Sequence, residues 1–313
     1  MLAFLFPGQG SQRVGMGKAL MEASAECRIT FEEADSILGV SLSRICVDGP
    51  EEQLTLTENA QPAILTTSIA AYRFVLAQGL QPDFVAGHSL GEYSAHVAAG
   101  TLSFADAIMI VRERGRFMQE AVPVGVGSMA AILGLDAEIV MQICNDVANG
   151  AVLAPANFNA PSQVVIAGER EAVGRATTEA RERGAKRVIP LAVSAPFHCA
   201  LMQPAADRLV PILRSVNVAN PRIPVVANVD AKSKTDGLSA IEALIRQVAA
   251  PVLWEQVVRC LASEGVHTYL EVGPGKVLTG LMRKIDRTLK AVSTDALPAL
   301  DQLKEIDGKV GAL

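Results

Sequence analysis

The sequence predicts an α/β protein: a large domain built round a parallel sheet, with a small βαββαβ unit set into it. Two patterns and one length carry this. Apolar strand-like runs alternate with helix-like stretches through residues 1–123, as in a parallel sheet covered on both faces. Residues 124–195 change grammar, placing two neighbouring strand runs between two helices. With 313 residues the chain can bury one large core and a smaller one.

Leu2–Phe6 reads as a buried strand followed by the glycine-rich turn Pro7-Gly-Gln-Gly-Ser11. Pro62–Gln78 reads as a helix, Phe84–Ala86 as a short strand, and Leu90–Ala99 as a helix ending at Gly100. Ser103 and Asp106 have the spacing of a capping box, opening a helix that Pro123 closes. In the middle segment Ser128–Gly134 is a strand, Ala137–Ala148 a helix, Val152–Asn157 and Gln163–Ala167 strands joined by a turn at Asn159–Pro161, Ala172–Arg183 a helix and Arg187–Val193 a strand. That order is ferredoxin-like. The large domain resumes with a helix from about Cys199, a strand at Val225–Val229, helices at Ile241–Val248 and Leu253–Ser263, and a strand at Thr268–Val272. The boundaries expected are therefore 1–123 and 196–313 for the large domain and 124–195 for the small one. A cleft between them is the expected site.

Composition narrows the function classes. No apolar run approaches the ~18 residues of a membrane span, and the apolar start is too short for a signal peptide. The five cysteines form no C-x-x-C pair and no metal-ligand spacing, which predicts reduced thiols, a cytoplasmic protein and no metal. A net charge of −5 argues against a nucleic-acid binder.

Gly87-His-Ser-Leu-Gly91 fits G-x-S-x-G between a strand and a helix, where a nucleophilic serine sits on a tight turn with its hydroxyl clear of the sheet. Ser89 is the candidate nucleophile; an ordinary βα turn is the bland reading. Such a serine needs a base, and the chain has four histidines. His88 lies inside the turn, His96 about two helical turns below it, and His267 at the sheet's far end. His198, where the chain re-enters the large domain, is the candidate. Arg114 falls on the apolar face of the helix from Phe104 to Ala121, with Ile110, Val111, Phe117 and Met118. A buried guanidinium needs an anion, either an internal carboxylate or a carboxylated substrate. Backbone N–H groups of Leu90, after the serine, and of Gln9, after the first strand, could form an oxyanion hole, although Gly8–Ser11 also fits a simple turn.

Taken together these residues resemble the malonyl-CoA:acyl carrier protein transacylase family, from Phe4 to about Leu297. The motifs are FPGQGSQ at Phe6–Gln12, ENAQPA at Glu58–Ala63, GHSLGEY at Gly87–Tyr93, RGRFMQ at Arg114–Gln119, NFNAPSQVVIAG at Asn157–Gly168, APFH at Ala195–His198 and EVGPGKVL at Glu271–Leu278. The resemblance implies an α/β-hydrolase-like large domain with a ferredoxin-like insert. It implies Ser89 as nucleophile, His198 as base, Gln9 and Leu90 as oxyanion donors, and Arg114 on the malonyl carboxylate. It further implies that a backbone carbonyl, with Gln247 as candidate, orients the histidine, and that Gln61, Met118 and Asn159 line the pocket. Phe197, beside the histidine, would crowd an α-methyl group and favour malonyl. The implied substrates are malonyl-CoA and an acidic acyl carrier protein, with no bound cofactor. A monomer is expected, and Lys186, Arg187, Arg283, Lys284 and Arg287, the last three on the final helix, are candidates for docking the carrier. The competing readings are a discrete polyketide-pathway transferase and a serine thioesterase or hydrolase.

Overall fold

The computed structural model describes residues 1–193 and 195–295. Strand β1 (Leu2–Phe6) is buried along its whole length. Its alternate side chains feed two cores: Phe4 and Phe6 enter one cluster, Ala3 and Leu5 another that contains Trp254. A strand buried on both faces belongs in the middle of a parallel sheet, which is where β1 lies.

The chain continues through α1 (Lys18–Ala23), α2 (Ala25–Leu38), α3 (Leu42–Asp48) and α4 (Glu51–Thr55) to α5 (Thr57–Ala77), β2 (Phe84–Gly87), α6 (Gly91–Ala98) and α7 (Phe104–Glu120). Sequence periodicity marks nothing across α1–α4. α1, α3 and α4 are too short to show a face, and each is held by one or two buried anchors: Leu20, Leu42 with Cys46, and Leu54. α5 starts five residues before the expected Pro62. Its first turn forms because the Leu56 carbonyl accepts from Asn59 N–H and Ala60 N–H, upstream of the proline. The Ser103 cap is as expected: its Oγ accepts from Asp106 N–H at 3.0 Å.

The middle segment holds β3 (Gly127–Leu133), α8 (Ala137–Val147), β4 (Leu153–Ala160), β5 (Gln163–Glu169), α9 (Arg170–Glu182) and β6 (Arg187–Pro190). Its sheet has the order β4-β5-β3-β6 with every neighbour antiparallel, and a separate core including Ile132, Val140 and Ile166. Asn159 is in strand β4, not in the turn, which narrows to Pro161 and Ser162; Ser162 takes the left-handed conformation there (φ 55°). The last strand stops at Pro190 rather than Val193, because Val193 N–H folds back onto the Leu191 carbonyl.

After a short 3-10 turn at Ala200–Met202 come α10 (Gln203–Ser215), β7 (Val225–Val226), β8 (Ser233–Lys234), α11 (Gly237–Gln247), α12 (Trp254–Ser263), β9 (Thr268–Glu271), α13 (Val277–Ile285) and β10 (Lys290–Ser293). The large sheet runs β10-β9-β1-β2-β7-β8 and is parallel except for the β7–β8 pair. The strand expected at Val225–Val229 is only two residues long because the chain turns back, with Ala231 N–H on the Ala227 carbonyl. Arg287 lies beyond the end of α13, not on it. Backbone ties β4 of the small sheet to the segment between α11 and α12: Val252 donates to Ala156 O and accepts from Phe158 N–H, both at 2.9 Å. Among the described residues no helix is long and apolar enough to cross a membrane, and all five cysteines are free thiols.

Candidate active site

Gln9, Ser89 and Asn228 follow the carboxyl ends of β1, β2 and β7, three neighbouring strands of the parallel sheet. Open α/β sheets bind ligands at this edge. Ser89 has φ 52°, a left-handed conformation that costs a non-glycine residue roughly 1–2 kcal/mol. The turn is tight enough to need its glycines. A Cβ on Gly87 would come within 1.9 Å of Gly91 C, and one on Gly91 within 2.0 Å of Phe6 O. Asn228 holds the turn from the side: its Oδ1 accepts from Ser89 N–H and its Nδ2 donates to Gly87 O, both at 2.7 Å. These bonds offset the strain.

Ser89 Oγ is 2.7 Å from His198 Nε2. The other ring nitrogen, Nδ1, faces two carbonyls, Gln247 O at 3.0 Å and Ala250 O at 3.2 Å. Carbonyls only accept, so Nδ1 carries the hydrogen and Nε2 presents a lone pair to the serine. The tautomer a base requires is thus set without a carboxylate. Burial, then the nearby Arg114 charge, push His198 from 6.5 down to about 3. Among the described residues no other histidine bonds the Ser89 hydroxyl, although His88 lines the same cavity. His88 Nε2 bonds Asn159 Oδ1 at 2.8 Å, and His96 is buried with neither ring nitrogen partnered among the described residues.

This shift has a consequence for pH. A histidine of ordinary pKa would lose about tenfold of its neutral form between neutrality and pH 5.5. His198 stays neutral over that range, so kcat/KM for acylation, which reports free-enzyme groups, is expected to stay nearly flat from pH 7.5 to 5.5. A titration centred near 6.5 in initial rates would contradict it. The contribution of His198 to fold stability is lost as pH falls from 6.5 towards 3, because the unfolded chain takes up a proton that the buried ring refuses.

Arg114 is 2% exposed, and its guanidinium ends at the serine: Nη2 donates to Ser89 Oγ at 3.2 Å and to Gln247 Oε1 at 3.0 Å, and Nη1 to Gln61 Oε1 at 2.7 Å. The Tyr93 ring lies 5.4 Å from its Cζ. α7 can bring it this close because Gly115 packs on α5, where a Cβ would sit 2.5 Å from Thr57 O. The sequence leaves open whether an internal acid neutralises this cation. Among the described residues Arg114 forms no ion pair; its partners are neutral amide and hydroxyl oxygens. A planar fork beside the Ser89 hydroxyl can take a carboxylate in two-point fashion.

Ser89, His198 and Arg114 open on a cavity of about 550 Å³, also lined by Gln9, Leu90, Met118, Asn157 and Phe197. Among the described residues neither the Gln9 nor the Leu90 backbone N–H has an acceptor. Gln61 and Asn159, expected on the pocket wall, stand behind it: Gln61 holds Arg114, and Asn159 holds His88. The wall position belongs instead to Asn157. Strand alternation puts residues 157 and 159 on the same face, but a register shift between Phe158 and Ala160 redirects the end of β4. Sequence reasoning also misses Asn228, Ala250 and Glu92. An asparagine just past a strand that neighbours the nucleophile's strand, and an acid three residues after the serine in an alanine-rich helix, were the available signals.

A serine on a strand–helix turn, a histidine ring nitrogen 2.7 Å from its hydroxyl and a buried guanidinium meeting at one cavity are the geometry of an acyl-transfer site. The family model described as acyl transferase domain matches residues 3–301. A malonyl CoA-acyl carrier protein transacylase of Bacillus subtilis (strain 168) is 51% identical over 93% of this chain and 92% of its own length. The protein of that name from Escherichia coli (strain K12) is 49% identical over 97% and 99%. Among solved structures, an acyl carrier protein S-malonyltransferase from Vibrio cholerae has TM-score 0.95 at 49% identity, covering 97% of this chain and 99% of its own. A malonyl-transacylase in complex with its type II PKS acyl-carrier protein has TM-score 0.95 at 46% identity, covering 98% and 99%. The chain therefore belongs to the acyl transferase domain family and, within it, to the malonyl CoA-acyl carrier protein transacylases.

Proposed function

We propose that this chain moves the malonyl group of malonyl-CoA to the phosphopantetheine thiol of an acyl carrier protein, through an ester on Ser89, supplying fatty acid elongation. The observation that carries it is the placement of Ser89 Oγ between His198 Nε2 at 2.7 Å and Arg114 Nη2 at 3.2 Å. Ser89 Oγ attacks the thioester carbonyl while His198 Nε2 takes its proton, and the developing oxyanion is held by Gln9 and Leu90 N–H. The tetrahedral intermediate collapses with loss of CoA thiolate, which takes the proton from His198. The carrier thiol then gives its proton to His198 and attacks the ester, and Ser89 recovers a proton as it leaves. Arg114 pairs with the free malonyl carboxylate throughout, while Met118 and Phe197 crowd the acyl group and favour malonyl over methylmalonyl. No step needs a metal or bound cofactor.

The names of the relatives support this substrate pair, and the type II PKS complex keeps a polyketide carrier as the second reading. The strand orders support an α/β-hydrolase-like large domain (1–123 and 196–313) carrying a ferredoxin-like insert (124–195). Exposed Lys186, Arg187, Arg283, Lys284 and Arg287 are the basic residues offered to an acidic carrier, on a cytoplasmic monomer.

The deciding experiment gives the protein malonyl-CoA with and without phosphopantetheinylated carrier and follows both malonyl-carrier and free malonate. Transfer that far outruns hydrolysis is expected. Release of malonate at the rate of transfer would make the protein a thioester hydrolase instead.

A further inference from the structure

The mechanism leaves one fully buried acid beside the nucleophile without a task. Glu92, in the first turn of α6, lies three residues after Ser89. Its Oε2 accepts from Asn228 N–H at 3.0 Å and from Gln247 Nε2 at 2.8 Å. Each partner is fastened to a working group. Asn228 bridges Ser89 N–H and Gly87 O with its side chain, at 2.7 Å each. The Gln247 side chain donates to Ser89 O at 2.9 Å and accepts from Arg114 Nη2 at 3.0 Å, while its backbone carbonyl accepts from His198 Nδ1 at 3.0 Å. One carboxyl oxygen thus stands where the supports of nucleophile, base and carboxylate fork meet.

We propose that Glu92 is a positioning residue for acyl transfer, acting through Asn228 and Gln247 to hold Ser89, His198 and Arg114 in mutual register. The side chain serves as an acceptor. Both partners of Oε2 are donors, so their bonds persist whether or not the carboxyl is ionised, and Oε1, which has no partner among the described residues, is where a proton resides. Burial raises this carboxyl to about 7, against the pull of the Gln247 and Asn228 hydrogen bonds. An ionised Oε1 would be an unpaired charge in a dry interior, which favours the neutral form. Glutamine can therefore replace the acid: its carbonyl oxygen accepts both donors. Alanine cannot, and it leaves two buried N–H groups to pull Gln247 and Asn228 elsewhere.

The test compares wild type, Glu92→Gln and Glu92→Ala in single-turnover acylation at saturating malonyl-CoA, with thermal melting of each. Binding of malonyl-CoA is measured with the same changes in a Ser89→Ala background. Misplacing reacting groups by about 1 Å costs on the order of 10²-fold, so Glu92→Ala is expected to acylate about 10–100-fold slower. Binding is expected to change by less than about threefold, and Glu92→Gln to recover most of the rate. Should Glu92→Ala fail to fold, Asn228→Ala, which keeps its backbone N–H on Glu92 but removes the side-chain bonds through which that support reaches Ser89 N–H and Gly87 O, is expected to show the same loss of rate with binding kept. Acylation at the wild-type rate in the alanine variant that folds, equal losses of binding and rate, or no recovery by glutamine would each overturn the proposal. It rests on Ser89 as nucleophile, and the two failures are distinct: wild type that takes up no malonyl group removes that reading, whereas normal acylation by the alanine variants removes only the role of Glu92.

Discussion

Ser89→Ala is expected to reduce malonyl transfer by on the order of 10⁴–10⁶-fold, the range seen when the nucleophile of a serine–histidine pair is removed. The residual rate would come from binding and from whatever the Gln9 and Leu90 N–H groups still contribute. The substitution is a clean one here. Asn228 grips the backbone of residue 89 on both sides, the glycines at 87 and 91 keep the turn tight, and alanine meets the same left-handed strain as serine. The variant should fold and still bind malonyl-CoA, so the loss appears in kcat. His198 would keep its tautomer through Gln247 O and Ala250 O, and activity should not return at higher pH. The check is steady-state transfer to a carrier, together with malonyl-CoA binding by calorimetry. Transfer within about tenfold of wild type would mean that another group carries the acyl chain.

The second large effect is expected at Arg114. Deleting one member of a buried, hydrogen-bonded charge pair costs about 2–5 kcal/mol. Arg114→Ala should therefore slow malonyl acylation by about 30- to 4,000-fold. Acetyl-CoA has no second carboxylate and gains nothing from the guanidinium, so its acylation should change far less. The ratio of malonyl to acetyl loading then collapses. Part of any loss will be structural, because Gln61 Oε1 and Gln247 Oε1 lose their donor, and an unsatisfied buried acceptor costs about 1–3 kcal/mol. That cost falls on both acyl groups alike, so the ratio isolates the carboxylate contact. Competition between the two thioesters, read as acyl-enzyme masses, measures it directly. Parallel losses for malonyl and acetyl would make Arg114 a structural residue.

What the sequence could disclose was local or combinatorial. β1 announces itself as an apolar run before a glycine turn. The serine turn is legible because a single tight turn fixes Gly87, Ser89 and Gly91 at alternate positions of one pentapeptide. The Ser103 cap and the apolar stripe of α7 place Arg114 indoors before any coordinates do. His198 could be reached by eliminating three others. Beyond that, tertiary packing decides. α1, α3 and α4 are short segments stabilised by docking rather than by their own periodicity, so no pattern marks them. β7 pairs over two residues only, and the turn that shortens it delivers Asn228 to the serine. Gln61 and Asn159 carry the right chemistry at the right place in the chain, yet packing puts them one layer behind the cavity wall. Glu92 is invisible because an acid in a helix normally points to water; only the fold shows that Asn228 and Gln247 converge on it.

The central claim is that the acyl group rides on Ser89. Intact-protein mass after brief mixing with malonyl-CoA, followed by peptide mapping, tests it most directly. The account predicts one malonyl group per chain, located on the peptide that contains Ser89, absent from Ser89→Ala and discharged when the carrier is added. A wild-type protein that takes up no malonyl group, or an adduct that persists in Ser89→Ala, would contradict it.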